Sequence, residues 1–346
     1  MADSPKKNSK KRRRLPPWAA VLIGILVFIL VLILAASITV NAVLNKISRP
    51  DLNQSYYTEE ELMEIDLQEA IEEHGGEDAV VYPELDPSEI TWTQVDEQIG
   101  ETQELVNILL IGQDARAGET RARSDSMILM TFNKTTKNIT MTSFMRDLYV
   151  QIPGYEDNRI NAAYAFGGME LLDATLKQNF GVEVDANIEV NFDGFSSIID
   201  ILGGVDIELT SAEAEVMGLP AGFQHLNGAN ALSYSRIRYI DSDFSRTARQ
   251  RNVISALFNS LKHAELSQLL ELVDTIFPLI TTDMTNREII SYATELFPML
   301  STSSLTSSRV PADDTYSLNT IRGMSVIVAD MYQNRTILKQ TIEPEG

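Results

Sequence analysis

The arginines of this chain are the residues whose types and spacing point most clearly to chemistry. Residues 105–346 carry 30 acidic and 19 basic side chains, yet ten of their fourteen arginines fall between 116 and 251: Arg116, Arg121, Arg123, Arg146, Arg159, Arg236, Arg238, Arg246, Arg249 and Arg251. A guanidinium keeps its charge at any physiological pH, and its fork matches the oxygens of a phosphate. An acidic segment that gathers arginines in this way is suited to a small polyanion. Aspartates accompany them. Asp114 follows an apolar run ending at Gly112, and Asp125 opens the next in Arg123-Ser124-Asp125. Two carboxylates at neighbouring strand ends can share Mg²⁺, which is typically held by one or two carboxylates plus phosphate oxygens.

Two further arrangements sharpen the expectation. Tyr234 to Tyr239 alternates in period two; in an extended chain Arg236 and Arg238 then point to one side, where they repel each other unless an anion lies between. Asp243 is a natural N-cap for a helix starting near Phe244. On that helix Arg246 and Gln250 stand four apart on one face, and Val253 and Leu257 continue the stripe with apolar side chains. Such a face suits a ligand with a phosphate head and a hydrocarbon tail; ordinary core packing is the other reading of Val253 and Leu257.

Several function classes lose support. There are no cysteines, so no disulfide framework, thiolate metal site or cysteine nucleophile is available. His74, His225 and His263 are scattered, without partners at metal or triad spacing. No GxSxG, HExxH or P-loop motif is present. The net charge of −21 argues against nucleic acid as a partner of the main domain.

The elements that must position these residues begin at Leu105. Val106 to Ile111, Met127 to Phe132 and Ile139 to Phe144 read as strands, the last two joined by a hairpin-like Asn133 to Asn138. Ala162 to Asn179 reads as a helix, Ile188 to Phe192 as a strand, Gly194 to Leu202 as a helix and Val205 to Leu209 as a strand. Ser245 to Leu261, Leu266 to Ile280 and Arg287 to Leu300 read as helices, Ser307 to Val310 as a last strand, and Leu318 to Asn334 as a final helix. Strands alternating with helices, with one hairpin among them, predict a three-layer α/β/α sandwich around a mixed central sheet.

The N-terminal third is organised differently. Residues 1–16 form a basic tail with Lys6, Lys7, Lys10, Lys11, Arg12, Arg13 and Arg14. Residues 17–44 are uncharged, and Trp18 to Ala36 is an unbroken run of apolar or small side chains. At about 1.5 Å per residue this run, extended through Leu44, spans a hydrocarbon core of about 30 Å. The basic tail places the N-terminus in the cytoplasm and the remainder outside. A cleaved signal peptide has a shorter apolar region and a small-x-small site, neither of which fits. Residues 45–104 read as an extracytoplasmic stalk, and 51–104 hold 18 acids with no lysine or arginine. Residues 105–346 are the expected catalytic domain.

Taken in order, these blocks resemble the LytR–CpsA–Psr family of bacterial cell-wall enzymes. The resemblance runs through Asn107-Ile-Leu-Leu-Ile-Gly112, Asp114-Ala-Arg116, Arg123-Ser-Asp125, Arg146-Asp147, Ile152-Pro-Gly154 and Ile160-Asn161-Ala-Ala-Tyr164. It continues through Gly167-Gly168, Leu202-Gly-Gly-Val205, Ala231-Leu-Ser-Tyr-Ser-Arg236-Ile-Arg238 and Asp241-Ser-Asp-Phe-Ser-Arg246-Thr-Ala-Arg249-Gln250-Arg251. It implies a membrane-anchored enzyme that moves a glycopolymer (teichoic acid, capsular or other wall polysaccharide) from a polyprenyl-pyrophosphate carrier to peptidoglycan. It implies Asp114 and Asp125 as magnesium-associated residues. Arg123, Arg146, Arg159, Arg236, Arg238, Arg246 and Gln250 would contact the pyrophosphate, with Asp125, Arg146, Arg238 and Asp243 at the reacting centre. Met145 and Arg159 depart from the proline and lysine the family often has there. A non-catalytic binder, a hydrolase of the same lipid-linked pyrophosphate and, last, a membrane-bound transcription regulator are the alternatives.

Overall fold

The computed structural model describes residues 39–50, 56–65, 82–96, 98–100, 103–113, 123–237, 240, 243–262 and 273–344. The chain divides into two units, 1–45 and 46–346. Of the first, residues 39–44 are helical, with the Asn45 amide donating to Asn41 O at 2.9 Å. The expected membrane-spanning run, 17–44, lies almost wholly outside the described residues; among those described, no helix is long and apolar enough to cross a membrane.

The second unit is built on strands rich in β-branched and long apolar residues: β1 (Leu105–Gln113), β2 (Ser124–Asn133) and β3 (Asn138–Phe144). β1 pairs antiparallel with β2, and β2 with β3, as the hairpin reading expects. After the two-residue strands β4 (Tyr149–Val150) and β5 (Asn158–Arg159), the long helix α1 (Ile160–Phe180) crosses over to β6 (Ala186–Asn191), which lies parallel to β1. Helix α2 (Phe192–Ile201), hairpin strands β7 (Val205–Leu209) and β8 (Gly222–Leu226) with α3 (Ser211–Met217) between them, and α4 (Gly228–Ser235) follow. Next come α5 (Asp243–Lys262), β9 (Thr281–Thr282), α6 (Asn286–Thr302) and β10 (Leu305–Val310). β11 (Tyr316–Ile321), β12 (Met324–Ala329) and α7 (Met331–Ile342) close the chain. The central sheet runs β10-β3-β2-β1-β6-β9 and is mixed, with β10 parallel to β3 and β9 antiparallel to β6.

Both faces of the sheet are buried, so its strands read as near-continuous apolar runs. Leu109, Ile111, Met127, Leu129 and Phe144 pack on one face against Ala163, Leu172 and Leu176 of α1 and Leu338 and Ile342 of α7. Ile108, Ile128, Met130, Ile139 and Met141 pack on the other against Phe258 of α5 and Leu296 and Met299 of α6. This is the expected three-layer arrangement. A third cluster, Ile199, Val205, Ile207, Leu226, Ala231, Tyr234 and Val253, joins α2, the β7–β8 hairpin and α4 to α5.

Three expectations are corrected. Leu318 to Asn334 is not one helix but the hairpin β11–β12 followed by α7. Arg322 and Gly323 both have positive φ (53° and 78°), the backbone of a tight hairpin turn, and Val326, Ile327 and Val328 favour a strand. Tyr234 to Tyr239 is not extended at its start. Helix α4 runs through Ser235, because Asn227 caps it and Ala231 and Tyr234 are buried on its inner face. The described parts of 51–104 do not stand off as a stalk. Leu62 and Ile99 are buried in the α1-side core, the Tyr57 amide donates to Ala165 O at 3.0 Å, and Arg335 Nη2 donates to Thr93 O at 2.7 Å. α1 is broken at Gly167 and Gly168 to admit this segment. A Cβ on Gly168, whose φ is +62°, would lie 2.6 Å from the Tyr56 hydroxyl.

Candidate functional site

A cavity of about 160 Å³ opens on the α5 side of the sheet. Its walls are apolar: Leu110 of β1, Ile128 of β2, Ile188 and Val190 of β6, Phe192 and Phe195 of α2, Leu232 of α4 and Ile254 of α5. These strand residues alternate with the ones that face α1, which is why one side of each strand is free to line a cavity. Asp125, Ser126, Ser235, Arg236, Arg246 and Gln250 add the polar lining. The site therefore joins an apolar chamber to a cluster of cationic and polar groups.

Each polar group is placed by a specific local feature. Arg246 and Gln250 lie one turn apart on α5, and Ile254, a turn further, continues the same stripe into the cavity. Of the two readings of Val253 and Leu257, core packing holds: both belong to the core beside α4, where Val253 is fully buried. Arg236 terminates α4, and its guanidinium covers the Phe192 ring at 4.3 Å from the centroid. Asp125 sits at the start of β2, where its Oδ1 accepts from Arg146 Nη1 at 3.1 Å.

Behind Arg146 is a line of buried charges. Arg146 Nε lies 3.3 Å from Asp147 Oδ1, and Arg159 Nη1 donates to the same oxygen at 3.3 Å. Burial pushes the Asp147 carboxyl up, but the summed charges of Arg146, Arg159 and Arg246 outweigh this and hold it below its ordinary value. Asp147 thus fixes two arginines whose own charges repel. Its sequence neighbourhood, an Arg-Asp pair, gave it no distinct role.

Of the residues expected from sequence, Asp125, Arg236, Arg246 and Gln250 meet on one cavity, and Arg146 joins them through Asp125. Arg159 is buried against Asp147 rather than on the cavity. Arg123 stands immediately before β2, and Asp243 opens α5. Asp114 and Arg238, like Arg116 and Arg121, lie outside the described residues, as does the Asp243 side chain. Arg249 serves the fold rather than the cavity. Its Nε donates to Glu213 Oε1 at 2.7 Å and its Nη1 to Ile237 O at 3.2 Å, tying α5 to the capping box of α3.

One further half-buried polar group lies beside the end of β1. Gln113 and Tyr164 both donate to Glu189, whose carboxyl burial pushes up. Glu189 sits mid-strand with no motif around it, so sequence alone gave no signal for it.

Asp125 is the described residue suited to a divalent cation. It is a carboxylate at the cavity, its side chain 22% exposed, beside cationic groups that would hold phosphate oxygens. No cluster of three or more metal-ligating side chains exists among the described residues. A carboxylate in the polar lining of the cavity is the kind of donor Mg²⁺ typically takes, with phosphate and water completing its shell.

The sequence model of the LytR_cpsA_psr family matches residues 70–342. The polyisoprenyl-teichoic acid–peptidoglycan teichoic acid transferase TagU of Bacillus cereus is 40% identical over 177 residues, 50% of this chain and 57% of TagU. The alignments to TagU therefore span little more than half of that relative. TagT of Bacillus subtilis, a transferase of the same description, is 29% identical over 284 residues, 78% of this chain and 79% of TagT. A solved structure of TagT bound to LIIa-WTA superposes with a TM-score of 0.59 at 25% identity, covering 76% of this chain and 98% of that one.

Proposed function

The chain belongs to the LytR–CpsA–Psr family, and from that premise we propose that it is a phosphotransferase moving a glycopolymer from a polyprenyl-pyrophosphate carrier to peptidoglycan. The observation that carries this reading is the joining of an apolar chamber to Arg236, Arg246 and Gln250. A polyprenyl chain fits the chamber walls, and a pyrophosphate fits the guanidinium forks. The relatives named as teichoic acid transferases support the same substrate class.

In the reaction, a sugar hydroxyl of peptidoglycan attacks the phosphorus that bears the glycopolymer. A new oxygen–phosphorus bond forms, the bond to the bridging oxygen breaks, and polyprenyl phosphate leaves with its electron pair. The hydroxyl proton passes to a carboxylate, Asp125 or Asp243. Positioning and charge neutralisation supply most of the rate in such transfers. Arg236, Arg246 and Arg238 would hold the charge that grows on the leaving phosphate. Arg146, clamped by Asp147, orients Asp125. Asp114 and Asp125 would hold Mg²⁺, which supplies further neutralisation of the pyrophosphate.

This reading puts the enzyme on the outer face of the cell membrane, anchored by residues 17–44 with the N-terminus in the cytoplasm; the uncharged run after a basic tail and a carrier lipid that stays in the bilayer support it. The test is the lipid that co-purifies with the full chain, identified by mass spectrometry. A polyprenyl pyrophosphate, bare or glycosylated, is expected; ordinary phospholipid alone would sink the assignment.

A further inference from the structure

Arg251 follows Gln250 on α5 but points away from the cavity, toward the outer strand of the sheet, where its Nε donates to Ser307 Oγ of β10 at 2.8 Å. Arg309 lies two residues further along β10, on the same side by strand alternation. Its guanidinium covers the rings of Phe244 at 4.4 Å and Tyr316 at 5.9 Å, which themselves pack at 4.7 Å. Arg309 is balanced: Nη1 donates to Pro311 O at 2.6 Å, and Nη2 is paired with Asp313. Arg251 is not. Its Nη1 is buried without a hydrogen-bond partner, and no carboxylate pairs with it among the described residues. Ser143 of β3, the register partner of Arg309, is completely buried, and its Oγ also lacks a partner. Alternation with Met141 puts Ser143 on the α5 face.

An unbalanced cation with a buried, unpartnered donor at the sheet edge calls for an anion. Burial and the nearby Arg309 charge push Arg251 down to about 10, so it stays cationic at neutral pH. Ser307 is exposed, which leaves the place open to solvent. The adjoining Phe244–Tyr316 pair offers an apolar shelf.

We propose that Arg251, with Ser307 and Arg309, is a second anion subsite at the sheet edge, one residue along α5 from the cavity-lining Gln250, that grips a phosphodiester of the glycopolymer in transit. This rests on the transferase reading above. The choice of a phosphodiester follows from connectivity. Gln250, the neighbour of Arg251, lines the cavity where the carrier pyrophosphate would sit, so a phosphate further along the same molecule is delivered at high effective concentration.

The test compares two lipid carriers with the full chain in nanodiscs. One is a polyprenyl-pyrophosphate disaccharide without phosphodiesters, and the other is the same disaccharide extended by several polyol-phosphate units. Arg251→Gln is expected to raise KM about tenfold for the extended carrier only, the loss of one charged contact, with Arg251→Lys recovering part of it. Ser307→Ala keeps every charge and is the milder variant, expected to move KM in the same direction for the same carrier. Equal changes for both carriers, or none for either, overturn the subsite. A soluble polyol-phosphate oligomer, titrated calorimetrically against the full chain, reads the subsite without turnover. Binding that Arg251→Gln abolishes supports it even if no transfer occurs; absence of binding to the unmodified chain, or displacement by a neutral polyol, overturns it.

Discussion

Asp147→Asn is the substitution that most sharply separates this structure from a looser one. Asparagine has nearly the same shape, so no cavity opens; only the charge is lost. The side chains of Arg146, Asp147 and Arg159 are 6%, 13% and 5% exposed. Removing one partner of a buried pair strands the others, at a cost of about 3–5 kcal/mol. Here two guanidiniums lose the carboxylate between them. Such a loss is a large part of a total stability of roughly 5–15 kcal/mol. At roughly 2–4 °C per kcal/mol, it lowers the melting temperature by about 10 °C. The pH dependence has a fixed sign. The Asp147 carboxyl is held below the ordinary 3.8, so its contribution is complete at neutral pH and fades as pH falls through the folded value. The variant and the unmodified chain therefore converge in acid. Thermal melts of the full chain in detergent, from neutral pH downward, measure both effects. Glu183→Gln is the control, because its partnership with Lys177 is 71% and 52% exposed and should leave the melt unchanged. If Asp147→Asn melted within about 2 °C of the unmodified protein, the buried clamp would not be what holds Arg146.

Two further outcomes follow from Asp173 and Gly228. Asp173 accepts from Asn187 Nδ2 at 2.8 Å, and burial, reinforced by Asp283 and Glu170, pushes its carboxyl up to about 7. The folded chain then holds a proton that the unfolded chain releases near 3.8, so stability falls as pH rises from about 4 to about 7 and levels above. Asp173→Asn should flatten that slope and gain about 2–4 kcal/mol at pH 8, measured by urea titration; an unchanged slope counts against the buried proton. Gly228 opens α4 where a Cβ would stand 1.9 Å from Ser196 O of α2. Gly228→Ala should cost about 1–3 kcal/mol by denaturant melt and reduce retained lipid, because it pushes apart two helices that wall the cavity.

The sheet was legible wherever apolar runs had clear ends. β1, β2 and β3 and the hairpin between the last two follow from their residues, and so does α1. The region from Leu318 was not legible as a hairpin, because its apolar residues fit a helical period as well as a strand. The positive φ of Arg322 and Gly323 decides it, turning the chain back between β11 and β12. Helix α4 was hidden for the opposite reason: Tyr234 to Ile237 alternates, yet the buried Ala231 and Tyr234 hold its start helical. At the site, Arg246 and Gln250 were legible because helical spacing fixes their common face. Ile254 was not, since periodicity tolerates Val253 as well and only the neighbouring cluster settles which one is core. Arg159 showed the limit of counting charges. A buried arginine clamped to Asp147 and one on the cavity wall look alike in sequence. Arg309 and Ser143, more than 100 residues apart, meet only through the parallel register of β10 and β3, which no local pattern encodes.

The most direct measurement follows the phosphate itself. The full chain, reconstituted with Mg²⁺, peptidoglycan and a polyprenyl-pyrophosphate glycopolymer labelled at the phosphorus bonded to the polymer, should move the label onto peptidoglycan. One polyprenyl phosphate should appear for each polymer transferred. Label recovered as a soluble polymer phosphate, with water as the acceptor, would contradict the account, as would carrier that stays bound and intact.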